Sequence, residues 1–183
     1  PGDQGGIAIA ELFSGKEDFS GHLPYTYPRY DGVIEFYDHP RSVDRSKSGD
    51  FSAYNPQWDF GFGLSYNNAQ IGKAKFESTN EKDGSFTISV TVSNPNQKMV
   101  KTLVPVYLSD LYASTSPEGK RLIGFTKTAL KPGENKTLYF KFDANSLKRI
   151  AIDGKWRAEK GTFEISCGEE KLVFELENDI NFD

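Results

Sequence analysis

Strict alternation is the feature that most constrains this chain. Phe86, Ile88, Val90 and Val92 take turns with Thr87, Ser89, Thr91 and Ser93, a period of two that suits a strand with one hidden face and does not suit a helix. Leu103–Ser109 repeats it with Val104, Val106 and Leu108 on one face, and Leu122–Thr128 reads as another strand. Thr137–Phe142 puts Leu138, Phe140 and Phe142 on one side. Gly161–Cys167 and Lys171–Leu176 flank Gly168-Glu169-Glu170, the layout of a hairpin. Asn94-Pro95-Asn96 and Lys131-Pro132-Gly133-Glu134 punctuate these runs with turn chemistry. Asn145–Ile150 has room for one helical turn.

Six or seven short strands between residues 69 and 183 predict a mainly β fold, a β-sandwich of the immunoglobulin or fibronectin type III sort. The cysteine and tryptophan spacing of true immunoglobulin domains is absent. The one cysteine, Cys167, lies in an apolar alternating stretch and reads as core.

The first 28 residues have a different character. Ile7–Phe13 is helical in pattern, entered from Gly5-Gly6 and stopped by Ser14-Gly15. Leu23, Tyr25 and Tyr27 alternate with polar or proline positions in the manner of an edge strand. One helix and one strand cannot close a core, so residues 1–28 are expected to be the end of a larger α/β domain that packs on something upstream. Residues 29–68 carry no sustained period and read as a long connecting segment. Its expected anchors are aromatic: Tyr30, Phe36, Tyr37, Phe51, Tyr54, Trp58, Phe60 and Phe62. Its mobile tip is expected over residues 41–50.

Composition removes several classes of function. With 22 basic and 26 acidic residues the net charge is −4, which disfavours nucleic acid as a partner. No window approaches a membrane span. The two histidines, His22 and His39, stand apart with no cysteine or carboxylate at ligand spacing, so no metal site and no cofactor is expected. A chain of 183 residues is also shorter than a catalytic barrel of about 250.

Three stretches resemble one enzyme family. Pro1-Gly-Asp-Gln-Gly-Gly-Ile-Ala-Ile-Ala-Glu-Leu-Phe-Ser-Gly15 with Ser20-Gly-His-Leu-Pro-Tyr-Thr-Tyr-Pro28 resembles the end of the α/β sandwich domain of glycoside hydrolase family 3, which contains many β-glucosidases and β-xylosidases. Trp58-Asp-Phe-Gly-Phe-Gly-Leu-Ser-Tyr66 resembles the entry to that family's third, fibronectin type III-like domain. Val106-Tyr-Leu-Ser-Asp110, Arg121-Leu-Ile-Gly-Phe125, Leu130-Lys-Pro-Gly-Glu134 and Gly154-Lys-Trp156 resemble landmarks of the domain itself. The resemblance implies the C-terminal part of a retaining β-glycosidase. It implies an aspartate nucleophile on an N-terminal barrel and, in many members, an acid/base glutamate on the sandwich domain. Both lie upstream of these motifs, so no residue here takes a catalytic role. It also implies upstream catalytic domains as partners, an oligo- or polysaccharide substrate reached through them, and a periplasmic or extracellular setting.

The remaining candidates are substrate-binding. His39, beside Pro40 and Arg41, resembles a linker combination found near the substrate cleft in some relatives. Tyr54 and Trp58 are candidates for stacking on sugar rings, with packing at the domain junction as the alternative. Asp31, Glu35, Asp38, Asp44 and Asp50 read as a solvated acidic loop rather than a catalytic pair. A non-catalytic carbohydrate-binding or adhesive module is the alternative function, and it requires an exposed aromatic or apolar patch.

Overall fold

The computed structural model describes residues 2–34, 36–38 and 55–182. The chain runs through helix α1 (Gly5–Phe13) and strands β1 (Gln70–Asn80), β2 (Ser85–Ser93), β3 (Val100–Asp110), β4 (Arg121–Leu130) and β5 (Asn135–Phe142). A 3-10 turn (Ala144–Ser146) leads to β6 (Arg149–Ile150), β7 (Trp156–Ala158), β8 (Gly161–Cys167), β9 (Glu170–Leu176) and β10 (Ile180–Asn181).

The strands pair antiparallel into two facing sheets, ordered β1-β2-β5 and β4-β3-β8-β9, with a small third sheet β10-β7-β6. This is a mainly β sandwich of the fibronectin type III-like kind. Its core is the set of residues that the alternation marks. Phe86, Ile88, Val90 and Val92 from β2 and Val104, Val106 and Leu108 from β3 meet Phe163, Ile165 and Cys167 from β8, all buried. Burial pushes the Cys167 thiol up to about 11, as suits an inert core sulfur.

Turn chemistry fixes the register. Pro132 and Gly133 occupy the centre of a turn closed by Glu134 N–H to Lys131 C=O at 3.0 Å, and Gly133 takes φ +72°, the type II arrangement. Asn94, 1% exposed, spends its side-chain amide on the carbonyls of Lys98, Leu130 and Lys131. The β8–β9 hairpin closes with Cys167 opposite Glu170 and Gly168 at φ +61°.

Three local readings are corrected. Ser89, expected on a wet face, is buried because its hydroxyl donates to Glu77 Oε1 at 2.6 Å. Leu23–Tyr27 is no strand: it contributes an isolated bridge between Tyr27 and Trp58. The buried residue there is Thr26, whose N–H and hydroxyl both donate to the Tyr37 carbonyl at 3.1 Å, while Tyr25 and Tyr27 stay exposed. The region 145–150 divides between the 3-10 turn and β6.

The family-like motifs of the sandwich acquire physical roles. The Arg121 guanidinium donates to the carbonyls of Lys148 at 2.7 Å and Ser146 at 2.6 Å, pinning the 3-10 turn to β4. Asp110 lies 3.8 Å from the Arg149 guanidinium. At Gly124 a Cβ would press on the Phe142 ring at 3.0 Å, so the missing side chain is what lets the two sheets close there.

Candidate functional site

Helix α1 forms because Gly5-Gly6 opens it and Gly15, at φ +72°, closes it, with Ser14 N–H reaching Ala10 C=O and Gly15 N–H reaching Leu12 C=O. Its sequence, GGIAIAELF, is apolar on nearly every face. A helix apolar all round belongs inside a protein. Yet Gly5 is its one buried residue, and Ile7, Ile9 and Phe13 are 58%, 45% and 74% exposed.

The surface next along the chain is apolar too. A cavity of about 620 Å³ is lined by Phe19, Leu23, Trp58, Phe62 and Leu64, with His22 in its wall. Burial pulls the His22 imidazole below its ordinary value, with the Gly61 backbone acting in the opposite sense, and the buried Nδ1 finds no hydrogen-bond partner among the described residues. Glycine at 63 is required here, since a Cβ would meet the Gly21 carbonyl at 2.6 Å and the imidazole at 2.7 Å. Trp58 stacks on Phe62 at 6.0 Å and touches Tyr27 at 5.2 Å, and Tyr27 stacks on Tyr25 at 6.3 Å. The result is a row of four half-exposed rings.

Several attachments tie this half to the sandwich, among them a hydrogen-bonded carboxylate and an aromatic plug. The Asp18 carboxylate accepts from Tyr66 N–H at 2.8 Å and from Asn67 N–H and side-chain amide at 2.9 and 3.2 Å, just ahead of β1. Burial alone would raise its pKa, but these hydrogen bonds together hold it below the usual carboxylate range. Its folded-state pKa is therefore depressed, so its stabilisation is present above the unfolded value of about 3.9 and is lost as pH falls through the folded value. Replacing Asp18 with Ala is expected to cost about 1–3 kcal/mol at pH 7 and to flatten the stability loss on acidification below about pH 4. Urea melts of both proteins at pH 7 and pH 3 check this, and parallel acid losses would refute it.

The second attachment is a plug. Phe60, 2% exposed, sits 4.4 Å from the Tyr37 ring and 5.3 Å from the Tyr107 ring on β3, with the Lys120 ammonium 4.7 Å over Tyr107. Gly61 takes φ +86°, and a side chain there would run into the Tyr107 hydroxyl. The connecting segment is therefore anchored by Phe60, whereas Tyr30, Phe36, Tyr37, Trp58 and Phe62 all remain partly exposed. Asp38 corrects the reading of a solvated acidic loop: it is 4% exposed and accepts the Lys120 backbone N–H. Among the substrate-binding candidates Trp58 is described and lines the cavity, while His39, Arg41 and Tyr54 lie outside the described residues, as do Glu35, Asp44, Asp50 and Phe51.

A further cavity of about 480 Å³ is lined by Asp38, Asp59, Glu164, Glu169, Lys120 and Lys171 among others. Its carboxylates are partly spoken for, since Glu164 pairs with Lys171 at 2.9 Å and Asp38 holds Lys120. Among the described residues no three His, Cys, Asp or Glu side chains gather as a metal would require, and no helix is long and apolar enough to cross a membrane.

Comparison with known proteins places both halves. Residues 1–66 match the glycosyl hydrolase family 3 C-terminal domain, and residues 102–171 match the fibronectin type III-like domain. The chain is 37% identical to a periplasmic beta-glucosidase of Salmonella typhimurium, the match covering 91% of this chain and 23% of that protein. It is 35% identical to a beta-xylosidase of Formosa agariphila, covering 91% and 24%. Among solved structures, a beta-glucosidase involved in saponin metabolism from intestinal bacteria superposes with a TM-score of 0.85 at 29% identity, covering 96% of this chain and 25% of that one. The Listeria innocua beta-glucosidase in complex with glucose gives 0.78 at 28% identity, covering 94% and 26%. The chain thus spans about a quarter of the length of the relatives it matches.

Proposed function

The chain belongs to glycoside hydrolase family 3, and on that premise we propose that it is the C-terminal portion of a retaining β-glycosidase acting on terminal β-linked glucose or a related sugar. Its part is to support the catalytic domains. The observation that carries this reading is the apolar helix α1 standing exposed, with an apolar cavity formed by residues further along the chain. Burying such a face on a partner domain is favourable by roughly 25 cal/mol per Å² of apolar area. Residues 1–28 are then the end of an α/β domain, residues 29–68 a connecting segment, and residues 69–183 the accessory sandwich.

Retaining hydrolysis needs two carboxyl groups about 5–5.5 Å apart across the scissile bond. In this reading both belong to the upstream part of the complete protein. This chain's own contribution near the sugar comes from His39 and Arg41 as hydrogen-bond donors to hydroxyls and from Tyr54 and Trp58 as rings for a sugar face. The partners are the upstream domains and, through them, an oligo- or polysaccharide. The setting is periplasmic or extracellular, in keeping with a periplasmic relative.

A carbohydrate-binding module remains the second reading, favoured by the row Tyr25, Tyr27, Trp58 and Phe62. Purified residues 1–183 are expected to release no nitrophenol from aryl β-glucosides or β-xylosides, while the complete protein does. Turnover by residues 1–183 alone would contradict the assignment of the pair upstream. Binding of glucans or xylans by residues 1–183 would favour the module.

A further inference from the structure

Resting on the family reading, we propose that residues 20–22 are an open strand edge to which the upstream part of the complete protein adds a β-strand, setting apolar side chains into the cavity that Leu23 lines. Residues 23–27 run antiparallel to residues 57–62. Leu23 N–H donates to Phe62 C=O at 2.8 Å and Gly61 N–H to Leu23 C=O at 2.9 Å, while Tyr27 N–H reaches Trp58 C=O and Gln57 N–H reaches Tyr27 C=O, both at 2.9 Å. In such a ribbon alternate residues turn their backbone groups to opposite edges. Leu23 and Tyr27 face residues 57–62, so the even-numbered residues face away. Thr26 N–H meets Tyr37 C=O at 3.1 Å on that far side, and Pro24 has no N–H to offer. The backbone groups of Ser20 and His22 find no hydrogen-bond partner among the described residues.

An edge that stays in water is ordinarily blunted by charged side chains. Pro24 closes one end of this one, but no Lys, Arg, Asp or Glu stands between Phe19 and Pro28. Burial holds the His22 imidazole below its ordinary value, so it too is neutral at pH 7. The flank is the apolar cavity of about 620 Å³, with Phe19, Leu23, Phe62 and Leu64 in its lining. The Phe19 ring lies 6.4 Å from the ring of Phe13 at the end of α1, so the apolar surface is continuous from the exposed helix to the open edge. Strand addition draws on both features, since main-chain bonds supply affinity and pockets for alternate side chains supply specificity. The upstream chain is the occupant because residues 1–66 match the family's C-terminal domain and the whole chain spans about a quarter of its relatives.

Amide hydrogen exchange at single-residue resolution, on the complete protein and on residues 1–183, tests this. Ser20 and His22 are expected to exchange near the unprotected rate in residues 1–183 and at least about a thousandfold more slowly in the complete protein. Gly21, whose N–H points to the other edge, is expected to slow far less. Protection of α1 in the complete protein with His22 still free overturns the inference and leaves the family reading standing. Equal slowing of Ser20, Gly21 and His22 also overturns it, because blanket covering lacks the alternation of a paired strand. If neither α1 nor His22 gains protection, the family reading falls and the inference with it. Slowing of His22 in residues 1–183 that grows with protein concentration gives the edge to a second copy and overturns the inference. Where residues 1–183 do not fold alone, the alternation within the complete protein decides by itself.

Discussion

Replacing Phe60 with alanine is expected to cost about 3–5 kcal/mol, the range for truncating a buried aromatic. Phe60 lies outside the β-sheets, yet it is buried as deeply as the sandwich's own phenylalanines, between Tyr37, Tyr107 and Lys120. Its loss empties the joint between the connecting segment and β3, and Gly61, shaped to pass over the Tyr107 hydroxyl, loses its reason for that conformation. Tyr107 reports the event. Burial, with Tyr37 and Asp38 adding to it, pushes its phenol up to about 12. Between the ordinary value near 10 and that value the unfolded chain releases a proton that the folded chain retains, so stability falls as pH rises through this window. In Phe60→Ala the phenol is expected to titrate closer to 10 and the alkaline loss to shrink. Urea melts at pH 7 and ultraviolet titration of tyrosine measure the two effects. A loss under 1 kcal/mol with an unmoved phenol would refute the plug.

Ile7→Asp is expected to act in opposite directions in two settings. In residues 1–183 Ile7 is 58% exposed, and it lies in the first turn of α1, which carries no acidic residue. A carboxylate there meets the positive end of the helix dipole, for a gain of about 0.3–1 kcal/mol. In the complete protein the same carboxylate is driven into an apolar interface, where an unpaired charge costs several kcal/mol. Thermal melts of both proteins, wild type and variant, check the contrast. Equal small effects in both would mean that the helix face stays in water.

Sequence reasoning reached the sandwich because its information is local. Alternation in β2, β3 and β8 fixes which side chains are buried, and Pro132-Gly133 and Gly168 fix where strands turn. It overlooked β1 because register shifts between Ile71 and Ala74 and between Phe76 and Ser78 break the period. Strands of two or three residues, such as β6, β7 and β10, carry no period at all. What escaped altogether was polar burial decided far along the chain. Thr26 is buried by a carbonyl 11 residues on, and Asp38 by an amide 82 residues on. No short window of sequence contains both Asp38 and its partner amide. The exposure of the helix was legible in another sense, since one apolar helix with so little chain packed around it is expected to leave its apolar side chains uncovered.

Amide hydrogen exchange over residues 5–13 tests the central claim most directly, because the claim is that α1 is covered in the complete protein and bare in residues 1–183. The account predicts exchange near the unprotected rate in residues 1–183 and protection approaching the global stability in the complete protein. Equal protection of α1 in the two proteins would contradict it.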